Sequence, residues 1–259
     1  MKKQVIALTM AAIMMGSLTA CGGSGKTTES DAASSEATGN VLTMATNAEF
    51  PPYEYHDNNE IVGIDVEIAE ALAEKLGMTL EIEDIAFDSI IPEIQSGKAD
   101  IGLAGMTVDE DRLKNVDFSD PYTTASQVII VKEDSDITGP NDLEGKSIGV
   151  QLGTTGDIYA SDYEETGSTI ERYSKGFEAV QAMIQGKIDA VVIDTEPAKV
   201  FVAENEGIKI LDEALTVEEY AIAVKKGNTE LLEKINTALA ELKDSGELQK
   251  IIDKYISAE

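Results

Sequence analysis

The chain has one cysteine and one histidine in 259 residues, and these shortages exclude several kinds of chemistry. Because there is no second cysteine, no intramolecular disulfide bond can form. The histidine, His56, lies in the polar segment HDNNE, which is typical of a solvated loop and not of a catalytic base. No His/Cys spacing typical of a metal site is present. We therefore expect no cofactor and no metal, and an enzyme built on this chain would have to rely on carboxylates.

Basic residues are also few: 20 lysines and arginines stand against 49 aspartates and glutamates, which gives a formal net charge of −29. Such an acidic surface repels phosphate backbones and anionic membrane surfaces. We therefore expect no nucleic-acid partner. Apolar residues make up 42% of the chain, which suffices at this length to bury the core of one large or two modest domains.

The first 20 residues are typical of a secretory signal peptide. Lys2 and Lys3 precede an apolar run that is shorter than a typical membrane-spanning helix. The run ends in LTAC, which resembles the lipobox of bacterial lipoproteins, where the cysteine is acylated, with palmitate among the chains, and becomes the new amino terminus. We expect Cys21 to be lipidated and to anchor the protein to the extracytoplasmic face of the cell membrane; a free or buried cysteine is the alternative. Residues 21–40 are mostly small and polar and predict a flexible tether.

From Val41 onward, short apolar runs alternate with amphipathic helices, which predicts an α/β fold with parallel-type sheets. One such helix is expected to begin at Asp65, as its cap, and to end at Gly77. The helix-turn-strand segment IQSGKAD at 94–100 recurs as IQGKID at 184–189, and residues 147–151 resemble residues 42–46. The repetition predicts two lobes built on a similar plan, although a common way of joining a helix to a strand would also explain it.

Two crossing segments, 125–131 and 220–224, are expected to join the lobes as a two-strand hinge beside a cleft. We predict that residues 41–128 and 221–259 form lobe 1 and that residues 129–220 form lobe 2. The last two amphipathic helices are expected to cover lobe 1. We expect the protein to be a monomer.

Candidate binding residues follow the predicted strands, because ligands bind beyond the carboxyl ends of open parallel sheets. Arg112 in one lobe and Asp194 in the other are a fixed cation and a fixed anion, and together they suit the two ends of a zwitterion. A surface arginine and a helix-capping aspartate are the alternatives. The other candidates near these strand ends are Asn47, Phe50, Phe87, Gly105, Met106, Thr107, Thr154 and Thr155.

Three segments carry a family resemblance: NAEFPPYEY at 47–55, GLAGMTVDEDR at 102–112 and GKSIGVQLGTT at 145–155. Together they are similar to the signature of the polar amino-acid-binding proteins of ABC importers, the family 3 solute-binding proteins. The likeness runs from about Val41 to the end of the chain. It implies a bilobed, type II periplasmic-binding-protein-like fold that captures a free amino acid by hinge closure and delivers it to an importer permease.

The resemblance also implies roles for individual residues. Phe50 and Phe87 would sandwich the side chain of the ligand. Gly105 and Thr107 would bind its α-amino group and carboxylate region, Arg112 and the Thr155 amide would hold its carboxylate, and Asp194 would hold its ammonium group.

The identity of the ligand stays open at this point. Asn47 and Gln151 occupy positions that vary with the ligand in such proteins, and both a cationic amino acid, such as arginine or lysine, and a neutral polar one, such as glutamine, are candidates. We expect a binding protein and not an enzyme. A ligand-sensing receptor subunit and a dehydratase-type enzyme on the same fold are the alternatives.

Overall fold

The computed structural model describes residues 40–256. The predicted signal peptide, Cys21 and almost all of the predicted tether lie outside the described residues. The strands are β1 (Val41–Thr46), β2 (Glu49–Phe50), β3 (Glu54–Asp57), β4 (Glu60–Val62), β5 (Thr79–Asp84), β6 (Ile101–Gly102), β7 (Val116–Phe118), β8 (Thr123–Lys132), β9 (Ser147–Gln151), β10 (Thr169–Tyr173), β11 (Ala190–Asp194), β12 (Ile208–Ile210), β13 (Thr216–Tyr220) and β14 (Ala223–Lys225). The α-helices are α1 (Ile64–Leu76), α2 (Ile90–Ser96), α3 (Thr155–Ser161), α4 (Gly176–Ile184), α5 (Thr195–Glu204), α6 (Thr229–Asp244) and α7 (Glu247–Tyr255).

Two sheets form the cores of two lobes, so the predicted bilobed α/β architecture is confirmed. The sheet of lobe 1 has the order β5-β1-β6-β14-β7, and that of lobe 2 has the order β10-β9-β11-β8-β12, with β13 also paired to β8. A small three-stranded sheet, β2-β3-β4, follows β1 in the chain. The larger sheets are mixed and not purely parallel, because β8 and β14, which follow the two crossings, run antiparallel to β11 and β6.

The repeated sequence segment has the same structural role in both lobes. Each copy is a helix followed by a glycine with positive φ, Gly97 or Gly186, and it leads into a strand that lies parallel to β1 in lobe 1 or to β9 in lobe 2. The aspartate that closes each copy accepts a hydrogen bond from a backbone N–H of β1 or β9. Asp100 Oδ2 lies 2.9 Å from Thr43 N, and Asp189 Oδ2 lies 2.8 Å from Ser147 N. The two lobes therefore have the same helix, glycine and strand, and the same hydrogen bond from a strand N–H to the aspartate.

The strand register corrects the expected match between the lobes by one residue. The sequence comparison aligned residues 147–151 with 42–46, whereas the paired strands align Met44, opposite Ile101, with Ile148, opposite Ala190. Hydrogen bonding sets the register, and the similarity of short apolar runs cannot resolve a shift of one position. In the corrected register Asn47 corresponds to Gln151, and Gly105 corresponds to Asp194.

The start of α1 also differs from expectation. Gly63, with φ of 134°, precedes the first helical residue, and a Cβ there would lie 2.1 Å from the carbonyl oxygen of Tyr53. Asp65 is inside the helix and buried, and it makes no capping bond. Its Oδ2 instead accepts hydrogen bonds from Gly105 N and from the Tyr122 hydroxyl. Close approach of the hairpin backbone, which only glycine permits, thus decides where the helix begins. Gly77 ends the helix in the left-handed conformation, as predicted.

The chain passes between the lobes twice, once before β8 and once between β13 and β14. The predicted lobe boundary at residue 128 falls inside β8, which pairs with β13 along their length from Thr123 opposite Tyr220. Helices α6 and α7 pack on α1, and Leu239, Leu242 and Leu248 join the core of lobe 1. Within residues 40–256, no helix has both the length and the apolar character needed to cross a membrane.

We predict that Asp100→Ala and Asp189→Ala each lower the free energy of unfolding by about 0.5–1.5 kcal/mol, because each removes the acceptor for a strand N–H. Asp100 is the less exposed of the two, so we expect the larger loss there. Asp134→Ala, which removes an exposed carboxylate of lobe 2, is the control. Urea denaturation measures the change, and stabilities equal to that of the control would contradict the shared role.

Candidate functional site

A small, narrow cavity lies between the lobes at the carboxyl ends of their strands. Nine of the predicted residues line it: Asn47, Phe50, Phe87, Gly105, Arg112, Gln151, Thr154, Thr155 and Asp194. Two further lining residues, Glu54 and Ala104, were not predicted. Met106 and Thr107 were predicted but are not among the lining residues; Met106 is buried in the core of lobe 1.

Arg112 is buried, which excludes the alternative of a surface arginine. Asp109 orients it, because its Oδ1 accepts from the Arg112 backbone N–H and its Oδ2 pairs with Nε at 3.0 Å. Nη1 donates to the Thr107 carbonyl at 2.7 Å, and Nη2 donates across the cleft to the Gly153 carbonyl at 3.0 Å. Burial lowers the pKa of Arg112, and nearby carboxylates oppose that shift. The guanidinium is a fixed cation that already connects the two lobes.

Asp194 ends the buried strand β11 and lies on the opposite side of the cleft. It precedes α5, yet its side chain makes no capping bond to that helix. Its Oδ1 accepts a hydrogen bond from the Tyr220 hydroxyl. Burial raises the pKa of Asp194 to about 7; repulsion from Glu218 adds to the shift, and the hydrogen bonds from Tyr220 and Gln127 oppose it. A cation bound at this carboxyl would favour its ionised form.

The turn before α3 brings Thr154 and Thr155 to the cavity. Gly153 has φ of 79°, and its Cα lies so near lobe 1 that an added Cβ would be 3.2 Å from Asp88 Cβ. Thr154 caps α3 by accepting from the Asp157 N–H at 3.3 Å. The Thr155 hydroxyl donates to Glu218 Oε2 at 2.9 Å. Both lobes therefore contact one another through this turn.

The aromatic residues Phe50 and Phe87 are buried on the lobe 1 side of the cavity. Phe50 stacks on Tyr53 with ring centroids 5.9 Å apart, and Gly105, at φ of 54°, leaves space for its ring, since a Cβ there would lie 2.8 Å from Phe50 Cε1. Phe87 lies 5.4 Å from the guanidinium carbon of Arg112, a cation–π contact.

The amide side chains of Asn47 and Gln151 meet across the cleft. Gln151 Nε2 donates to Asn47 Oδ1 at 2.8 Å, and Asn47 Nδ2 donates to the Ile85 carbonyl at 2.9 Å. A second contact across the cleft is the ion pair between Lys175 and Glu49. The two residues predicted to vary with the ligand are thus partners and occupy corresponding positions in the two lobes.

Sequence reasoning missed Glu54, although it lies inside a motif that the reasoning used. Glu54 is wholly buried on β3, and among the described residues neither of its carboxylate oxygens accepts a hydrogen bond from a donor. Its polar neighbour is another carboxyl, that of Asp65. Burial, reinforced by Asp65, raises the pKa of Glu54 well above its usual value, and burial raises that of Asp65 to about 6. One acidic residue between aromatic residues in TyrGluTyr was the only signal in the sequence.

Glu218 was also missed, and here strand alternation offered a signal. In TVEEY, Glu218 shares a strand face with Tyr220, which is buried, whereas Glu219 faces solvent. The carboxyls of Glu54 and Asp194 therefore line the cavity, while the buried carboxyls of Asp65 and Glu218 lie behind it and contact the lining residues Gly105 and Thr155. Across residues 40–256, Arg112 is the single buried basic residue.

Comparisons with known proteins identify the family of the chain. A family model described as bacterial extracellular solute-binding proteins, family 3, matches residues 42–258. An arginine-binding extracellular protein of Bacillus subtilis is 38% identical over 263 aligned positions that cover 100% of both chains.

Solved structures give the same result. An ancestral arginine-binding protein bound to arginine superposes with a TM-score of 0.82 at 44% identity, covering 84% of this chain and 99% of the other. The ancestral arginine-binding protein bound to glutamine gives a TM-score of 0.81 at 44% identity, covering 85% and 99%. These matches confirm the predicted periplasmic-binding-protein-like fold.

The buried carboxyls predict a pH-dependent stability for the ligand-free protein. Asp65 and Asp194 have folded-state pKa values of about 6 and about 7, above the usual 3.8, so the folded protein keeps protons that the unfolded chain has released. Their contribution to the free energy of unfolding therefore falls as pH rises from about 4 to about 7. Asp194→Asn removes the contribution of Asp194 to this pH dependence. Relative to the wild type, the free energy of unfolding of the variant should therefore increase by about 2–4 kcal/mol as pH rises over this interval. Denaturant titrations along the pH series measure the difference, and a difference independent of pH would contradict it.

Proposed function

The chain belongs to the family 3 bacterial extracellular solute-binding proteins, and on that premise we propose that it captures a free cationic amino acid, with arginine as the first candidate. Closure of the two lobes around the ligand would create the form that an ABC importer permease accepts. Solute binding is the function of the family; the choice of ligand is our proposal. We also propose that Cys21 is lipidated and holds the protein at the extracytoplasmic face of the membrane.

The observation that carries this proposal is the imbalance of buried charge around the cavity. Two buried carboxyls, those of Glu54 and Asp194, line the cavity beside one buried guanidinium, that of Arg112. Ionised groups removed from water are costly unless an opposite charge compensates them. A zwitterion with a neutral side chain adds no net charge, whereas an amino acid with a cationic side chain adds one positive charge. The site therefore favours the cationic ligand.

The α-groups of the ligand match the two fixed charges. The Arg112 guanidinium, with the turn at Thr154 and Thr155, suits the carboxylate, since a guanidinium can donate two parallel hydrogen bonds. Asp194 suits the ammonium group, because that cation would offset the burial that raises the pKa of Asp194. Every amino acid has these groups, so this half of the site gives affinity without selecting among them.

Selection falls to the side-chain half of the cavity. Phe50 and Phe87 offer apolar faces for a side-chain stem, and Glu54 offers a carboxyl that no donor among the described residues satisfies. A guanidinium or an ammonium group would supply both the donors and the charge that Glu54 lacks. The Asn47–Gln151 pair adds amide groups that suit polar ends of either kind.

Two relatives support this range of ligands. One is named as arginine-binding, and two solved structures are described as an ancestral arginine-binding protein, one bound to arginine and one bound to glutamine. A protonated Glu54 can donate to a neutral amide, and an ionised Glu54 can accept from a cation. The same residue thus accounts for preference for a cation and for tolerance of glutamine.

Capture without chemical change is the proposed activity. No histidine or cysteine lines the cavity. Its titratable side chains are carboxyls and one arginine, and threonine is the only type of nucleophilic side chain in the lining. A sensing role would use the same binding step and differs only in the membrane partner.

Calorimetry with a panel of free amino acids tests the proposal. We expect arginine to bind most tightly, lysine and glutamine more weakly, and acidic amino acids not at all. The arginine recovered after prolonged incubation should be unchanged by mass spectrometry. Binding of none of the panel, or a stronger response to an acidic amino acid, would contradict the proposal, and so would turnover.

Matched arginine variants complete this experiment. Arg112→Ala should weaken binding of every ligand by roughly 10²- to 10³-fold, because loss of one partner of a buried ion pair costs about 3–5 kcal/mol. Arg172→Ala is the control, since Arg172 pairs with Asp157 and Glu164 in lobe 2 and does not line the cavity. Affinity of Arg112→Ala equal to that of the control would remove Arg112 from the site.

Glu54→Gln tests the origin of selectivity. We predict that it lowers the affinity for arginine by at least about tenfold, or 1.4 kcal/mol, while it changes the affinity for glutamine less, because it removes charge and keeps size. Glu60→Gln, an exposed change on the same hairpin, is the control. Titrations with both ligands give the ratio of the two affinities. An unchanged ratio would assign selectivity elsewhere.

A further inference from the structure

Two wholly buried carboxyls, those of Glu54 and Asp65, are neighbours beside the cavity. Glu54, on β3, lines the cavity, and Asp65, in the first turn of α1, lies behind the lining. The backbone fixes this contact, because Asp65 N donates to the Tyr53 carbonyl at 2.9 Å. Both residues precede the first crossing of the chain, so their contact does not depend on how the two lobes are placed.

Hydrogen-bond donors are too few for both carboxyls to be ionised. Asp65 Oδ2 accepts from Gly105 N at 2.8 Å and from the Tyr122 hydroxyl at 2.9 Å. The other three oxygens, Asp65 Oδ1 and both of Glu54, have no donor among the described residues. An ionised carboxylate can only accept hydrogen bonds, and two adjacent ones also repel each other. A single proton held between them turns one carboxyl into a donor towards the other and removes the repulsion.

The charged groups around the pair keep such a proton in place. Burial raises the pKa of Glu54 well above its usual value, and the neighbouring carboxyl of Asp65 adds to this shift. Asp194 of β11 and Asp84 of β5, which are also acidic, act on the pKa of Glu54 in the same direction. Burial raises the pKa of Asp65 to about 6, although the hydrogen bonds made to it oppose this shift. The phenols that face the pair are those of Tyr53 and Tyr122, and burial raises the pKa of each above its usual value.

The basic residue of the cavity does not compensate these carboxyls. Arg112 pairs with Asp109, and within residues 40–256 it donates no hydrogen bond to Glu54. A cationic ligand side chain beside Glu54 would supply both the charge and the donors that the ionised carboxylate needs. A neutral amide carries no charge and can pair with a protonated carboxyl, which both donates and accepts. Of the two kinds of ligand, only the cation therefore favours loss of the proton.

We propose that Glu54 and Asp65 share one proton in the ligand-free protein, that a cationic amino acid displaces this proton to solvent, and that glutamine leaves it in place. The inference rests on the proposed capture of an amino acid and adds how pH controls the choice of ligand. The exchange conserves charge, because one cation enters the site as one proton leaves. A ligand whose binding releases a proton binds more weakly as pH falls. Acidification therefore shifts the preference from arginine towards glutamine.

Proton counting by calorimetry tests the exchange. Titrations at about pH 7 in buffers of different ionisation enthalpy give the number of protons released with each ligand, and we expect arginine to release about one more than glutamine. Protons released from Asp194 cancel in this difference, since both ligands carry the same ammonium group. Glu54→Gln should make the two counts equal, and the exposed change Glu60→Gln should leave the difference intact. Equal counts in the wild type would overturn the proposal.

The pH dependence of selectivity tests the part played by Asp65 as a positioning residue. In the wild type, the ratio of arginine affinity to glutamine affinity should fall by up to about tenfold per pH unit as pH is lowered from about 8 to about 5. Asp65→Asn keeps the acceptor oxygen and adds an amide donor for Glu54, so the fall should move to lower pH. Tyr122→Phe removes a hydrogen bond that lowers the pKa of Asp65, so the fall should move to higher pH.

The opposite directions of these two shifts separate proton sharing from a general loss of structure, which would affect both variants alike. A wild-type ratio that does not change with pH would overturn the proposal. Shifts of Asp65→Asn and Tyr122→Phe in the same direction would overturn the shared proton as its cause.

Infrared spectroscopy of the ligand-free protein distinguishes failure of this inference from failure of the proposed function. The difference spectrum between wild type and Glu54→Gln at about pH 7 should contain the band of a protonated carboxyl, whereas that between wild type and Glu60→Gln should contain only bands of an ionised carboxylate. Absence of the protonated band would overturn the proposal whether or not any amino acid binds. Absence of arginine binding at every pH would contradict the proposed capture as well, while binding of both ligands with equal proton counts would overturn the proton exchange alone.

Discussion

The structure depends on one buried guanidinium among several buried carboxyls. Arg112 holds the Thr107 carbonyl of lobe 1 and the Gly153 carbonyl of lobe 2, and Asp109 fixes its orientation. Among the described residues it is the one buried basic group that can offset the charge of these carboxyls. Burial raises the pKa of Asp194 to about 7, and a cation bound there would favour its ionised form.

The repeated helix-strand unit explains how such a site can be built with little specialised structure. In each lobe a glycine with positive φ follows the helix, and an aspartate accepts a hydrogen bond from a backbone N–H of β1 or β9. The positions at the ends of the strands then differ, with Gly105 in one lobe where Asp194 stands in the other. The glycine leaves space for the ring of Phe50, and the aspartate provides charge. One scaffold therefore serves both for shape and for electrostatics.

Much of this arrangement could be predicted from the sequence, because apolar periodicity and strand ends are local properties. They indicated the two lobes and the strand ends that carry Arg112 and Asp194, whereas the family resemblance supplied the roles of Phe50, Phe87 and Gln151. Glu54 escaped because its significance comes from burial beside Asp65, a residue of another element, and no spacing in the sequence shows that contact. Met106 and Thr107 follow a strand as the lining residues do, yet the chain turns there, so that Met106 enters the core and the Thr107 hydroxyl binds Glu218. Aspartate is a common helix cap, so Asp65 was expected to begin α1. The glycine at position 63 instead places the start of the helix before Asp65.

The path of the chain has a mechanical consequence. Both ends of the described segment belong to lobe 1, since β1 opens its sheet and α7 packs on α1, while lobe 2 is inserted between two crossings. A pulling force applied through residues 40 and 256 would therefore be carried by lobe 1 alone. Lobe 2 would lie outside the path of that force and could rotate about the crossings without doing work against it. An attachment at either of these residues would restrain the position of the protein and leave its opening and closing unloaded.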